Sequence, residues 1–293
     1  MTGTVSSIID RLTSLNSLSL WGNSLSGTVP SDLGSLTLLT YLSLFNNNFS
    51  GSLPSHLGQL SKLEAIDLSR NDFSGGIPTQ IGMCTSLETF FLAENSFSGP
   101  IPSYLGTLTS LRHMGLQSNR LDGAVPSDVG KLTDLTYLSL EGNNLDGPFP
   151  AHLTELTELE SLDVSRNFLS GSIPSDLVLL TKLSYLSLGT NDMEDFLPSE
   201  LGLLNNLDFA DFRTNKLSGP VPTELVSLVK LEQLFLHENN FTGSIPTGFC
   251  NSTLQSLEAD CQFEVECECC TQCHLKTIDD CHLIYYPLRC CPS

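Results

Sequence analysis

The 293-residue chain is short of positive charge: 13 Lys and Arg stand against 33 Asp and Glu, giving a formal net charge of -20. Nucleic acid and anionic membrane surfaces are bound by cations that displace counterions, so neither is an expected partner. A neutral or basic protein or peptide fits better. No stretch approaches the roughly 18 consecutive apolar residues that would span a bilayer, so no membrane insertion by this chain is expected. The first residues, Met1 to Leu15, lack the basic start, apolar run and small-residue cleavage site of a secretory leader. Gly3 and Leu12 already fit the periodic pattern described below, so the chain is expected to start inside a repeat with an upstream segment before it. Enzyme motifs are missing as well: neither G-x-G-x-x-G, G-x-x-x-x-G-K-S/T, H-E-x-x-H nor G-x-S-x-G occurs. His237-Glu238-Asn239 begins like a zinc-binding helix and goes no further, and the abundant carboxylates suggest a glycosidase pair only by accident. No catalytic residue, metal or cofactor is expected. Cysteine is absent from most of the chain, since all ten except Cys84 fall between Cys250 and Cys291.

What is present is one dominant spacing. Asn23, Asn47, Asn71, Asn95, Asn119, Asn143, Asn167, Asn191, Asn215 and Asn239 stand 24 residues apart without a slip. Seven residues after each comes a proline, from Pro30 to Pro246. Ahead of each Asn runs L-x-x-L-x-L-x-x-N, as in Leu135, Leu138, Leu140 and Asn143, which is the leucine-rich-repeat signature at an allowed period. Two leucines separated by one polar residue, such as Leu18-Ser19-Leu20, face inward from a short strand and leave the middle residue outside. Stacked strands then form a parallel sheet. Where the chain turns away, backbone polar groups are left inside the coil, and an Asn side chain can both donate to and accept from them. The ten asparagines are therefore expected to be a structural ladder.

After the Asn comes L-S-G-x-I/V-P, for instance Leu169-Ser170-Gly171-Ser172-Ile173-Pro174. Glycine supplies a backbone conformation that side chains resist, and proline brings no amide hydrogen to leave unpaired. The following polar-then-apolar stretch, such as Ser31-Asp32-Leu33-Gly34-Ser35-Leu36, reads as a turn of helix with Pro in its first turn.

The consensus L-x-x-L-x-L-x-x-N-x-L-S-G-x-I-P-x-x-L-G-x-L-T-x-L resembles the plant-specific class of extracellular leucine-rich repeats, found in receptor-kinase ectodomains and in polygalacturonase-inhibiting proteins. This resemblance implies an α/β repeat fold: a right-handed solenoid with a concave parallel β-sheet, an extra strand around L-S-G-x-I-P, and short 3-10 or α turns on the convex face. It also implies secretion or cell-surface display and binding on the concave side. Residues 1–249 read as ten repeats, the first residues being a partial one, and residues 250–293 as a cysteine-rich cap over the solenoid's open end. The run from Val265 to Cys273 is similar to tails of leucine-rich-repeat proteins predicted in diatoms.

In an extracellular compartment Cys250, Cys261, Cys267, Cys269, Cys270, Cys273, Cys281, Cys290 and Cys291 are disulfide candidates, their odd number leaving one free or paired with another chain. A zinc knuckle from Cys267, Cys270, Cys273 and His274 is the rival reading. Asn48, Asn240 and Asn251 head N-glycosylation sequons. Cys84 occupies a core leucine slot and reads as a reduced thiol. In coil eight Asp195 replaces the turn glycine, so the turn is expected to differ there; Asp192, Glu194 and Asp195 make a solvated loop or, with too few oxygens for a full cage, a cation site. Ala210 replaces a core leucine between Phe209 and Phe212.

Coil position also assigns the residues expected to be exposed on the strand face. The slot between the two inner leucines holds Ser19, Ser43, Asp67, Phe91, Gly115, Ser139, Asp163, Ser187, Asp211 and Phe235. Aromatics at such positions are not needed by the solenoid and mark candidate contacts. Trp21, Tyr41 and Phe45 form a first group; Phe91, His113, Gln117, Tyr137 and Glu141 a central stripe; Tyr185, Phe209, Arg213, Phe235 and His237 a third. The expected function is non-catalytic recognition of a protein or peptide in signalling, adhesion or defence, with a co-receptor or disulfide-linked partner in view. Inhibition of a secreted hydrolase and binding of ice or polysaccharide remain alternatives.

Overall fold

The structure, a computed structural model, describes residues 1–260 and the backbone of two further strands, Val265–Glu266 and Gln272–His274. Two compact units are formed, one from Met1–Asp146 with Glu155–Leu159, the other from Gly147–Thr154 with the described residues from Glu160 onward. In the first, the strands Ser17–Ser19, Tyr41–Ser43, Ala65–Asp67, Thr89–Phe91, His113–Gly115 and Tyr137–Ser139 pair in parallel. The register follows the repeat, with Tyr41 beside Ala65 and His113 beside Tyr137. In the second, Ser161–Asp163, Tyr185–Ser187, Phe209–Asp211, Gln233–Phe235 and Ser256–Asp260 do the same. The last step is one residue short of the period, Leu234 pairing with Leu257.

After each Asn the chain forms a second, outer strand, as in Ser24–Gly27, Asn48–Gly51 and Asp72–Gly75, again parallel to the next. A five-residue 3-10 helix follows. In Ser31–Ser35 the Leu33 amide donates to the Pro30 carbonyl at 3.1 Å, and the Leu36 amide donates to the Leu33 carbonyl at 3.2 Å. Pro30 is extended, with φ -69° and ψ 143°, so it caps the helix instead of lying in its first turn as the sequence suggests. The expected solenoid of parallel strands and short helical turns is the fold observed.

The leucines of the signature are sealed inside, with Leu36, Leu39 and Leu42 fully buried. In coils two to four the L-S-G leucine is a phenylalanine, and Phe49, Phe73 and Phe97 stack at 6.1 Å and 6.0 Å between centroids. Cys84 is wholly buried, its Sγ 3.4 Å from the Leu57 carbonyl, and burial pushes the thiol up to about 11, so it stays protonated and inert.

The asparagine ladder is visible bond by bond. The Asn71 side chain donates to the carbonyls of Leu44 at 3.0 Å and Leu68 at 3.1 Å, and its Oδ1 accepts from the Phe49 amide at 3.0 Å. Each Asn thus joins its own coil to the one before. Asn215 repeats the arrangement with Leu188, Phe212 and Met193. Beyond Asn239 a carboxylate takes over: Asp260 accepts from the Glu238 amide at 2.8 Å and the Asn239 amide at 3.1 Å.

At Asp195 the expected change is found in the outer-strand pairing, where the coils of Asp192–Glu194 and Ser218–Pro220 are paired only through an isolated bridge between Phe196 and Ser218, but not in the backbone angle. The φ of Asp195 is +69°, close to the +72° of Gly171 and Gly219 at the same point of their coils, and the Ser218 amide still donates to its carbonyl at 2.8 Å. Aspartate tolerates this left-handed conformation better than most side chains, and pairing with the next coil holds it there. The three acids do not face one another alone, since Asp192 is paired with Lys216 Nζ at 2.5 Å. Asp195→Gly is expected to stabilise the fold by under ~1 kcal/mol, the relief of the left-handed strain being partly cancelled by the freer unfolded chain. A lower urea midpoint for this variant would contradict that reading.

Candidate functional site

Strand alternation puts every second side chain outside, but the neighbouring side chains decide whether it is exposed. Ser43, Ser139, Ser187 and Asp211 are all buried, and Gly115 is covered too. This corrects the expectation that the whole middle slot is open. A larger side chain of the adjacent coil in the same column closes over the small one: a Cβ added to Gly115 would meet the Phe91 ring at 2.8 Å.

In the first unit, Trp21 is 63% exposed and Tyr41 is exposed as well. Phe45 is half-buried beneath Arg70, whose guanidinium lies 5.6 Å from the ring centroid. Phe45, Phe91, His113, Gln117 and Tyr137 come together around one groove of about 400 Å³. Glu141, Trp21 and Tyr41 do not line it. The Phe91 and Tyr137 rings meet edge to face at 6.3 Å. Small residues, Ser69 and Ala93, leave the space open, and Asp67, Arg70 and Glu94 complete the lining. Arg70 and Glu94 form an exposed ion pair at 2.8 Å, which contributes little stability by itself. Gln117 Oε1 is covered by protein yet meets no donor.

Two lining residues escape the column reading, and a third, Asp67, was not singled out by it. Arg70 and Glu94 precede the ladder asparagines at φ +56° and +53°. That left-handed step follows the strand, where alternation no longer predicts direction, so a strand-based count passes over it. Asp67 was legible as a position but carries no aromatic signal. Its Oδ1 accepts from the Ser69 amide at 3.0 Å, and the same local bond recurs between Asp163 and Ser165.

In the second unit the candidate residues form a continuous row. Tyr185 stacks on Phe209 at 4.4 Å, Phe209 meets Phe235 at 5.6 Å, and Phe235 meets His237 at 6.4 Å. Arg213 lies over Phe235 at 5.1 Å and reaches Asp211 Oδ2 at 2.9 Å. Burial pushes the Asp211 carboxyl up, against the opposing pull of the Arg213 amide and guanidinium. His237 is only 5% exposed, with Nδ1 3.4 Å from Glu258 Oε2. It supports the row from below, which corrects its expected exposure; Phe235 and the strand Ser256–Asp260 cover it.

Asn48 and Asn240 are exposed at the starts of outer strands, whereas the side chain of Asn251 lies outside the described residues. Cys250 is an exposed free thiol among the described residues. The other tail cysteines, Cys261, Cys267, Cys269, Cys270, Cys273, Cys281, Cys290 and Cys291, lie outside them apart from the backbone of Cys273, as do the side chains of the rival zinc set. Among the described residues, no group of His, Cys, Asp and Glu is arranged to hold a metal, and no helix is long and apolar enough to cross a membrane.

This periodic geometry agrees with comparison to known proteins. The Leucine Rich Repeat family model matches residues 14–36, 38–60, 62–84, 86–108, 134–156, 158–180 and 230–252. These segments make up more than half of the chain, which belongs to the leucine-rich-repeat family. They pass over the coils that carry Gly115, Asp195 and Ala210. No curated protein sequence matches. Among solved structures, the TDR receptor aligns with a TM-score of 0.87 at 32% identity over 91% of this chain and 46% of that one. The plant peptide hormone receptor RGFR1, solved in complex with RGF2, gives 0.84 and 35% over 91% and 42%. A plant ice-binding protein gives 0.67 and 27% over 79% and 74%. The chain therefore spans less than half the length of the two receptor chains.

Proposed function

We propose that the strand face binds a protein or peptide ligand without catalysis, outside the cell, in signalling, adhesion or defence. The observation that carries this reading is the groove around Phe45, Phe91 and Tyr137, half-exposed aromatics that the solenoid's own packing does not require. Support comes from the likeness to a peptide hormone receptor solved with its peptide. A secreted hydrolase as the bound protein would make the chain an inhibitor by the same surface. Ice binding has the plant ice-binding protein in its favour, but the mixture of aromatics, acids and Arg on this face lacks the regular polar array that ice would match.

The test is selection from a random displayed-peptide library, followed by rebinding to a variant with Phe45, Phe91 and Tyr137 all changed to Ala. Peptides selected by the intact chain are expected to bind the variant roughly 100-fold more weakly, as loss of interface anchors implies, with its circular dichroism unchanged. Equal binding to both proteins would move the site elsewhere. Thermal hysteresis from the intact chain would replace the reading with ice binding.

A further inference from the structure

The groove of the first unit has a chemical bias. Two of its acceptor atoms stand without a donor among the described residues. Asp67 Oδ1 is engaged by the Ser69 amide, but Oδ2 has no hydrogen-bond partner among the described residues. Gln117 Oε1 also lacks a donor, and it lies 2.9 Å from where a Gly115 Cβ would stand, turned down against the strand. A buried acceptor without a partner is costly, so rotating that amide into the groove becomes favourable once a ligand brings an N–H. Arg70, the cation of the wall, gives its Nε–H to Glu94 at 2.8 Å, so its charge is partly neutralised within the wall.

The rings add a second bias. Phe91 rests on Gly115 and against the edge of Tyr137, which leaves it half-exposed toward the groove. A half-exposed ring with an acid beside it attracts a planar cation, which stacks on the ring while its N–H groups reach the acceptors. The chain's net charge of -20 draws the same kind of ligand from a distance.

We infer that this groove is a specificity pocket for a guanidinium group, so that the ligand presents an arginine side chain to Asp67, Gln117 and Phe91. This deepens the strand-face reading and rests on it for the identity of the ligand as a protein or peptide; the pocket itself is testable with a small probe.

The probes are N-acetyl-arginine methylamide and its citrulline counterpart, which keeps the planar shape and loses the charge. Each is titrated into the intact chain while the ring resonances of Phe45, Phe91 and Tyr137 are followed by NMR. The arginine probe is expected to bind about tenfold or more tightly than the citrulline probe, the margin of a charge-assisted hydrogen bond. Asp67→Asn, which retains an acceptor for the Ser69 amide, is expected to bring that ratio close to one. Asp163→Asn, the same change in the second unit, should leave it intact. A ratio near one on the intact chain, or one untouched by Asp67→Asn, overturns the inference. Peptides selected without arginine alongside such a ratio would leave the strand-face reading standing. Failure to select any peptide would sink that reading, while the probe ratio would still decide the pocket.

Discussion

Asn119→Ala is expected to destabilise the fold by about 3–5 kcal/mol, since several buried hydrogen bonds are lost and their partners stay buried. The Asn119 side chain donates to the Leu92 and Leu116 carbonyls, both at 3.0 Å, and its Oδ1 accepts from the Phe97 amide at 3.0 Å. Alanine replaces none of these bonds. The leucine walls around the site are fully buried, so water cannot readily take the vacated places. Stability in a repeat protein is close to a sum over neighbouring coils, so the damage should begin locally. Amide exchange at Phe97 should therefore accelerate before the global urea midpoint is reached. Asn23 supplies the contrast. It has no preceding ladder Asn among the described residues and is half-exposed; it donates to the carbonyls of Leu20 at 2.9 Å and Trp21 at 3.1 Å within its own coil, and its Oδ1 accepts from the exposed Met1 ammonium at 2.6 Å. Asn23→Ala should cost about 1 kcal/mol or less, because water can replace bonds that are exposed or only partly buried. Equal losses from the two variants would show that the asparagines do not act by linking coils.

The ladder was fully legible in the sequence because its cause is local and repeated: one residue type, at one spacing, meets one recurrent need of the backbone. The strand and helical turn were legible for the same reason, whereas the outer strand was expected only from the family resemblance. Three things were not fully legible. The residue before each ladder Asn takes a left-handed conformation in every coil, including Arg70, Glu94, Thr190 and Thr214. Nothing in those side chains asks for it. Hydrogen bonding between coils imposes it, as when the Arg70 amide donates to the Ala93 carbonyl at 2.9 Å and the Thr190 amide donates to the Arg213 carbonyl at 2.8 Å. Asp195 was legible in part: its identity argued for a changed turn, and the outer-strand pairing is interrupted there, while the backbone keeps the left-handed angle of the glycines in the other coils. The groove was legible only in part. Phe45, Phe91 and Tyr137 stand in three different columns of coils two, four and six, so each is a departure in its own column and their meeting is a diagonal across the sheet. Reading by columns finds the aromatics and the position of Asp67, and misses Arg70 and Glu94. Exposure was the least legible property, since it depends on which neighbour is large enough to lean over a serine or a glycine.

Gly106→Ala is expected to cost about 3 kcal/mol, at the upper end of overpacking effects, although alanine is the better helix former. The reason lies in the spacing between coils. A Cβ at Gly106 would stand 2.3 Å from the Asp128 carbonyl oxygen and 2.8 Å from its carbon, in the helical turn of the next coil. The obstacle is backbone, so no rotamer change relieves it and the two coils must move apart. Gly34 against His56 and Gly58 against Gln80 show the same 2.3 Å approach. Left-handed backbone is not involved, because Gly106 lies inside the 3-10 helix Ser103–Thr107. Coil nine has Val226 at the equivalent place, so the helix itself accepts a side chain and the restriction comes from how closely the following coil is set. Gly99→Ala separates the two uses of glycine. Gly99 has φ +78° with open space around its Cβ position, so its substitution should cost only the left-handed strain, about 1–2 kcal/mol. The expected order in urea denaturation is Gly106→Ala well below Gly99→Ala, and both below the unaltered chain. The reverse order would mean that the coils have more room to separate than their carbonyl contacts imply, and that turn conformation sets the stability of this repeat.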